Sequence, residues 1–154
     1  MQKNKRIFVD GDGCPVLEEI INCACEFKCP VIFVYSYAHA RTDLLPSFVQ
    51  EVVTDPDREA VDMEICNRAS IGDITVTQDL GLAGLLLAKG VVVLSPRGNV
   101  IENEQIDFLL DRRHEEAKKR KAGKKTRGPK KLREEDRHFF EQQLKKILSK
   151  KKEF

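Results

Sequence analysis

The sequence predicts a three-layer α/β/α sandwich built on a mostly parallel sheet, with a basic helical extension at its C-terminal end. Three observations carry that prediction. Short continuous apolar runs at 7–9, 31–35 and 91–94 read as buried strands, and the β-branched run at 74–77 as another. They alternate with helical segments, the pattern of a parallel sheet with helices on both sides. Strand after strand then runs into Asp, Ser, Gly or Pro, the residues that turn a chain at the carboxyl edge of such a sheet.

Taken in order, Ile7, Phe8 and Val9 form the first strand, and Gly11 and Gly13 allow the sharp turn after it. Pro15 suits the first turn of the next helix, where its missing N–H is no loss. Residues 16–28 form an amphipathic helix with Val16, Ile20, Ala24 and Phe27 on one stripe, and Cys29-Pro30 stops it. A second strand at 31–35 ends at Ser36. A polar connection over 37–46 holds His39, Arg41 and Asp43. A shorter strand at 48–53 and a helix at 57–68, opened by Pro56 and carrying Asp62, come next. Gly72 breaks that helix, and residues 74–77 are β-branched throughout. They end at Gln78-Asp79, ahead of an apolar helix at 80–89 that Gly90 closes. Residues 91–94 form the last parallel strand and end in Ser95-Pro96-Arg97-Gly98-Asn99. A helix at 105–121 turns strongly basic in its second half, and a Gly/Pro/Lys loop covers 122–131. A final amphipathic helix at 133–149 carries Phe139, Phe140, Leu144, Ile147 and Leu148. We therefore expect an α/β domain over 1–111 and a basic helix-loop-helix extension over 112–154.

Charge divides the chain along the same line. Residues 1–111 hold 9 Lys and Arg against 18 Asp and Glu, whereas residues 112–133 hold 12 against 2. The formal net charge of +2 conceals this split between an acidic body and a basic segment. No apolar run reaches the roughly 20 residues that cross a membrane, and Asp10 and Asp12 interrupt anything resembling a secretory leader. Five cysteines, an odd number without paired CxxC spacing, read as small apolar core residues of a cytoplasmic protein. The three histidines (His39, His114, His138) are too scattered to form a catalytic pair.

The chemistry concentrates in the carboxylates. Asp10 and Asp12 follow the first strand and Asp79 follows the strand at 74–77, so parallel topology gathers all three on one edge, where open α/β sheets hold their ligands. Asp62, on a helix whose apolar Ile65 and Cys66 lie three and four positions on, completes the group if that helix packs beside the edge. An aspartate after a strand also serves as a helix N-cap, and Asp79 ahead of Leu80 fits that role. Asp10 and Asp12 together exceed the needs of one cap. Several carboxylates with no adjacent cation call for a hard ion, Mg²⁺ or Mn²⁺, with oxygen ligands and retained waters. Such ions activate water and steady the charge of an in-line phosphoryl displacement. Thr77, Gln78 and Ser95 are placed to orient water or ligand, and Arg97, on the same edge, to hold a phosphate.

The blocks Asp10-Gly-Asp12-Gly-Cys14-Pro15-Val16, Val61-Asp62, Gly72-Asp73-Ile-Thr-Val-Thr77-Gln78-Asp79-Leu-Gly-Leu-Ala83, Ser95-Pro96-Arg97-Gly98 and Gly128-Pro129-Lys130 resemble, in order and over nearly the whole chain, the signature blocks of the YaiI/YqxD family of bacterial proteins. That family in turn resembles PIN-like, NYN-type domains. These are α/β sandwiches in which acids at strand ends and on one helix bind divalent metal and cut RNA. The resemblance implies a metal-dependent ribonuclease with Asp10, Asp12, Asp62 and Asp79 as its metal-binding and catalytic acids. Val61 departs from the alanine common before the helix aspartate, a change remote from the chemistry.

The basic segment supplies a partner surface. Lys124, Lys125, Arg127, Lys130 and Lys131 lie in it, and a run of this kind attracts phosphates with steep salt dependence. It has no interleaved aromatics for stacking bases, so the expected contact is with the backbone of a nucleic acid, RNA foremost. It also lacks the apolar face that a membrane surface would need. Two other readings stand beside the nuclease. One is a non-catalytic RNA-binding or ribosome-associated module. The other is a phosphatase of the haloacid-dehalogenase type, suggested by a strand ending in Asp-x-Asp, with Asp10 as nucleophile.

Overall fold

The computed structural model describes residues 5–37, 44–57, 59–121, 123 and 131–150. Its elements run β1 (Ile7–Asp10), a short 3-10 turn at Gly11–Gly13, α1 (Leu17–Phe27), β2 (Val31–Ser36), β3 (Val49–Thr54), α2 (Ala60–Arg68), β4 (Ile74–Val76), α3 (Leu80–Ala88), β5 (Val92–Leu94), β6 (Val100–Ile101), α4 (Asn103–Lys121) and α5 (Glu134–Ser149). The strands make a single six-stranded sheet in the order β3-β2-β1-β4-β5-β6. The first five are mutually parallel, and β6 returns antiparallel to β5. Two residues are too few to show a period of two, which is why this edge strand has no sequence signature.

Side-chain alternation along the strands builds the layers. Ile7 and Val9 of β1 point into a core shared with Val16, Ile20 and Ala24 at α1, while Phe8 points the other way, toward Val61, Ile65, Leu82 and Leu86 of α2 and α3. The result is the three-layer α/β/α arrangement. α1 ends on Lys28 in the left-handed region (φ 53°), whose N–H caps the carbonyls of Ala24 and Cys25. α3 is apolar nearly all round because it is covered by the sheet on one side and by α4 on the other, where Ile106 is buried.

The last helix is part of this core. Phe140, Leu144 and Leu148 of α5 are buried in the same cluster as Ile7, Val9 and Ile20, and α5 packs along α1. Within the stretch expected as an extension, α5 thus completes the α1 layer; α4, which runs into that stretch, buries Ile106 near its start and carries an exposed Phe108. The basic positions Lys124, Lys125, Arg127 and Lys130 lie outside the described residues, as do His39, Arg41 and Asp43. Among the described residues no helix is long and apolar enough to cross a membrane.

Asp73, in the Gly72-Asp73 block, holds the opposite, amino edge of the sheet together. It is almost completely buried, pairs with Arg6 at 2.7 Å and accepts from the backbone N–H groups of Ser70 (2.9 Å) and Arg6 (3.3 Å). Asp73→Ala strands the half-buried guanidinium and two backbone donors, and should lower unfolding stability by about 3 kcal/mol in a chemical-denaturant titration, with the acidic cleft at the far edge unaffected.

Candidate metal centre

A strand order that runs outward from β1 to β2 and β3, then returns to β4 on the other side of β1, creates a switch point between β1 and β4. There the connections leave toward opposite faces, and the carboxyl ends of the two strands frame a crevice. The protein has a cleft of about 670 Å³ at this place, lined among others by Asp10, Asp12, Asp62, Thr77, Gln78 and Asp79. All four aspartates singled out in the sequence therefore face one space. α2 follows β3, so it begins at the carboxyl edge, and its first turn delivers Asp62 there.

The turn after β1 is held tightly against β2. A Cβ on Gly11 would come within 2.7 Å of the Phe33 ring and 2.9 Å of the Val34 carbonyl oxygen, so only glycine permits this approach. Asp12 Oδ1 accepts the backbone N–H of Ser36 at 2.8 Å, tying the turn to the end of β2. Thr77 links the two strand ends: its hydroxyl donates to Asp10 Oδ2 at 2.9 Å and accepts from the Asp79 N–H at 3.0 Å. Asp79 caps α3, its Oδ1 accepting the Leu82 N–H at 3.0 Å. Gln78 Nε2 donates to the Gly13 carbonyl at 3.3 Å across the cleft mouth.

Electrostatics in the cleft are one-sided. Burial pushes the Asp10 carboxyl above its usual range and outweighs the Thr77 hydrogen bond that pulls it down, with the charges of Asp12 and Asp79 adding to the rise. Asp62 is pushed up to about 7, first by burial, then by a hydrogen bond shared with Asp79, then by the charges of Asp79, Asp10 and Glu59. Among the described residues, no lysine or arginine lines this cleft. A raised carboxyl destabilises the fold once it must ionise. The penalty is absent below pH about 4, grows as the pH rises to about 7 and is complete above that. Asp62→Asn should therefore stabilise the metal-free protein above pH 7, by about 1–2 kcal/mol once solvent screening of this partly exposed group is allowed for. Thermal melts at pH 4 and pH 8 check this: the gain should vanish at the lower pH.

The donor set suits a hard divalent cation, being mainly carboxylate oxygen with no cationic side chain among the described lining residues. Among the described residues, no three acidic, cysteine or histidine side chains are already drawn together as a cage. Mg²⁺ does not require one, because it keeps several waters and takes one or two protein carboxylates. Asp10 and Asp79, at the two strand ends that Thr77 links, fit that requirement best.

Other residues fall differently. Ser95 Oγ accepts the Asn99 N–H at 3.2 Å and serves its own turn. Arg97 follows Pro96, which lines the cleft, but its guanidinium pairs with Asp136 of α5 at 3.3 Å. Lys131 is exposed just ahead of α5. Sequence reasoning passed over Asp57, a further acid lining the cleft whose Oδ1 accepts the Glu59 N–H at 3.2 Å. Its position between the end of β3 and the start of α2 was the available signal.

Comparison with known proteins adds the following. The pattern of the family described as "Uncharacterized BCR, YaiI/YqxD family" matches residues 8–150. A UPF0178 protein of Shouchella clausii is 47% identical over 147 residues, covering 96% of this chain and 94% of that protein. A UPF0178 protein of Halalkalibacterium halodurans is 50% identical over 143 residues, covering 93% and 90%. Among solved structures, Rae1 (YacP) from Bacillus subtilis, as its W164L mutant, gives a TM-score of 0.42 at 17% identity, covering 96% of this chain and 99% of that one.

Proposed function

The chain belongs to the YaiI/YqxD family, and on that premise we propose that it is a divalent-metal-dependent nuclease acting on RNA. The observation that carries this reading is the gathering of Asp10, Asp12, Asp62 and Asp79 in one cleft at the switch point of the sheet, with no cation among the described lining residues. Asp10 and Asp79 are the residues to hold Mg²⁺ or Mn²⁺, with Asp12 and Asp62 acting directly or through water. A bound ion would supply charge neutralisation and an acidified water for attack on a phosphodiester. The chain's own residues do the rest. Thr77 fixes the Asp10 carboxylate, the α3 cap fixes Asp79, and the Gln78 amide, which lines the cleft, would be a donor to a phosphodiester.

The basic segment at 112–133 is the surface that recruits the polyanion, which an acidic cleft alone would repel. A cytoplasmic setting, expected from the odd number of cysteines without paired spacing, is part of this proposal. A test incubates the purified protein with labelled RNA across Mg²⁺, Mn²⁺, Ca²⁺ and Zn²⁺. Cleavage with Mn²⁺ or Mg²⁺ is the expected outcome, and absence of cleavage with every ion rejects the enzyme.

One observation favours the second reading, a non-catalytic RNA-binding module: Asp12 and Asp79 each bind a backbone amide as well as facing the cleft. Salt-sensitive RNA binding without cleavage, indifferent to replacement of Asp10, is its signature. The phosphatase reading needs a lysine beside the nucleophile, and none of the described lining residues is one.

A further inference from the structure

Two neighbouring residues of α5 reach opposite walls of the carboxylate cleft. On one side the Arg137 guanidinium donates to the Pro15 carbonyl at 2.6 Å and pairs with Glu19 of α1 at 3.1 Å. Pro15 follows Gly13 and Cys14, which line the cleft. On the other side Asp136 Oδ2 accepts from the Arg97 guanidinium at 3.3 Å and from the backbone N–H of Arg133 at 2.9 Å. Arg97 follows Pro96, which lines the cleft from the β5–β6 loop. That loop is seated on α5 itself. Gly98 has φ +93°, and a Cβ on it would meet the Phe139 ring at 2.6 Å and Phe140 Cα at 3.0 Å.

The two grips differ in strength. Arg97 and Asp136 are 37% and 33% exposed in their side chains, and a pair of that kind contributes little. The Glu19 side chain is only 12% exposed, and among the described residues its Oε2 finds no hydrogen-bond partner. Arg137 therefore offsets a nearly buried carboxylate as well as holding the turn. That turn is fixed from outside, because α1 begins without a side-chain cap. Asp12 ties its middle to β2 through Ser36, Gln78 holds Gly13, and Arg137 holds its Pro15 end.

We infer that Arg137 is a positioning residue for the metal centre. By holding Pro15 against α5 it fixes the turn that carries Asp12 and follows Asp10, while the weaker Asp136–Arg97 pair steadies the facing loop. α5 thereby sets the spacing of the two walls. The inference rests on the metal-binding part of the proposed function. Arg137 does not itself line the cleft. Its charge acts in the opposite sense to its grip, since removing a cation near several carboxylates should tighten their hold on a divalent ion.

The test titrates the full chain with Mn²⁺ calorimetrically and follows hydrogen exchange in metal-free buffer at the Ser36 and Ile20 amides. Their acceptors, the Asp12 carboxylate and the Val16 carbonyl, lie on either side of Pro15. The decisive variant combines Glu19→Gln with Arg137→Met, which leaves the net charge unchanged and strands no buried carboxylate. It should keep the wild-type circular dichroism, bind Mn²⁺ about tenfold more weakly and exchange faster at both amides. Glu19→Gln with Arg137→Gln repeats the loss with polar replacements, should the first pair prove poorly folded. Arg137→Lys, which keeps a cation and its donors at that place, should restore most of the affinity. Wild-type or tighter Mn²⁺ binding by the double variants would overturn the inference. If the wild-type protein binds no Mn²⁺, the metal reading fails on that count, and the exchange rates alone decide whether Arg137 holds the turn.

Discussion

Asp10→Asn is expected to abolish Mn²⁺-dependent RNA cleavage, by at least a hundredfold, while leaving the protein folded and as heat-stable as before or more so. The carboxyl sits at the end of a fully buried strand and faces Asp12 and Asp79, so its ionised form is unfavourable without a cation. The amide oxygen of Asn still accepts the Thr77 hydroxyl, which preserves the link between the β1 and β4 ends. What disappears is the negative charge that draws an ion. Calorimetric titration of Mn²⁺ should show the matching loss of affinity, and a melting curve in metal-free buffer should show no loss of fold. Cleavage undiminished in this variant would mean that the activity resides elsewhere, or in a contaminant, and would remove the cleft from the mechanism.

Phe140→Ala is the substitution expected to cost most in stability, about 3–5 kcal/mol. The ring is completely buried against the α1 side of the sheet, in one cluster with Ile7, Val9, Ile20 and Leu144. Truncation removes its apolar surface from the core and leaves a cavity that helix and sheet cannot close. Against the 5–15 kcal/mol typical of a domain, this is a large fraction of the total. Urea titration gives the value directly, and an m-value like that of the wild type would show that the same surface still unfolds in one step. By the same argument, a chain ending at residue 111 should fail to fold cooperatively, because α1 would lose its cover. A stable, monomeric 1–111 fragment would contradict the packing of α5.

Much of the fold was legible because buried parallel strands and their helices leave strong local signals. Ile7, Phe8 and Val9, the β-branched run at 74–76, and the cap at Asp79 each encode their element within a few residues, and the observed boundaries differ from the sequence reading by three residues or fewer. β6 was not legible, since two residues hold no periodicity. Asp57 was passed over as a plain helix opener, although its position after β3 placed it at the carboxyl edge. Arg97 was read for its charge and its edge. That the guanidinium turns to Asp136, 39 positions away, depends on α5 crossing the Pro96–Gly98 loop, which no local pattern records.

The sequence by itself determined the layers, the mostly parallel sheet, and the carboxyl edge on which Asp10, Asp12 and Asp79 fall, because period and punctuation are properties of short stretches. The tertiary structure alone decided that Asp62 joins them, that α5 belongs to the core, and that Arg97 turns to Asp136. Each of those rests on contacts between residues far apart in the chain, where what counts is which surfaces bury one another and which charges are left to face the same space.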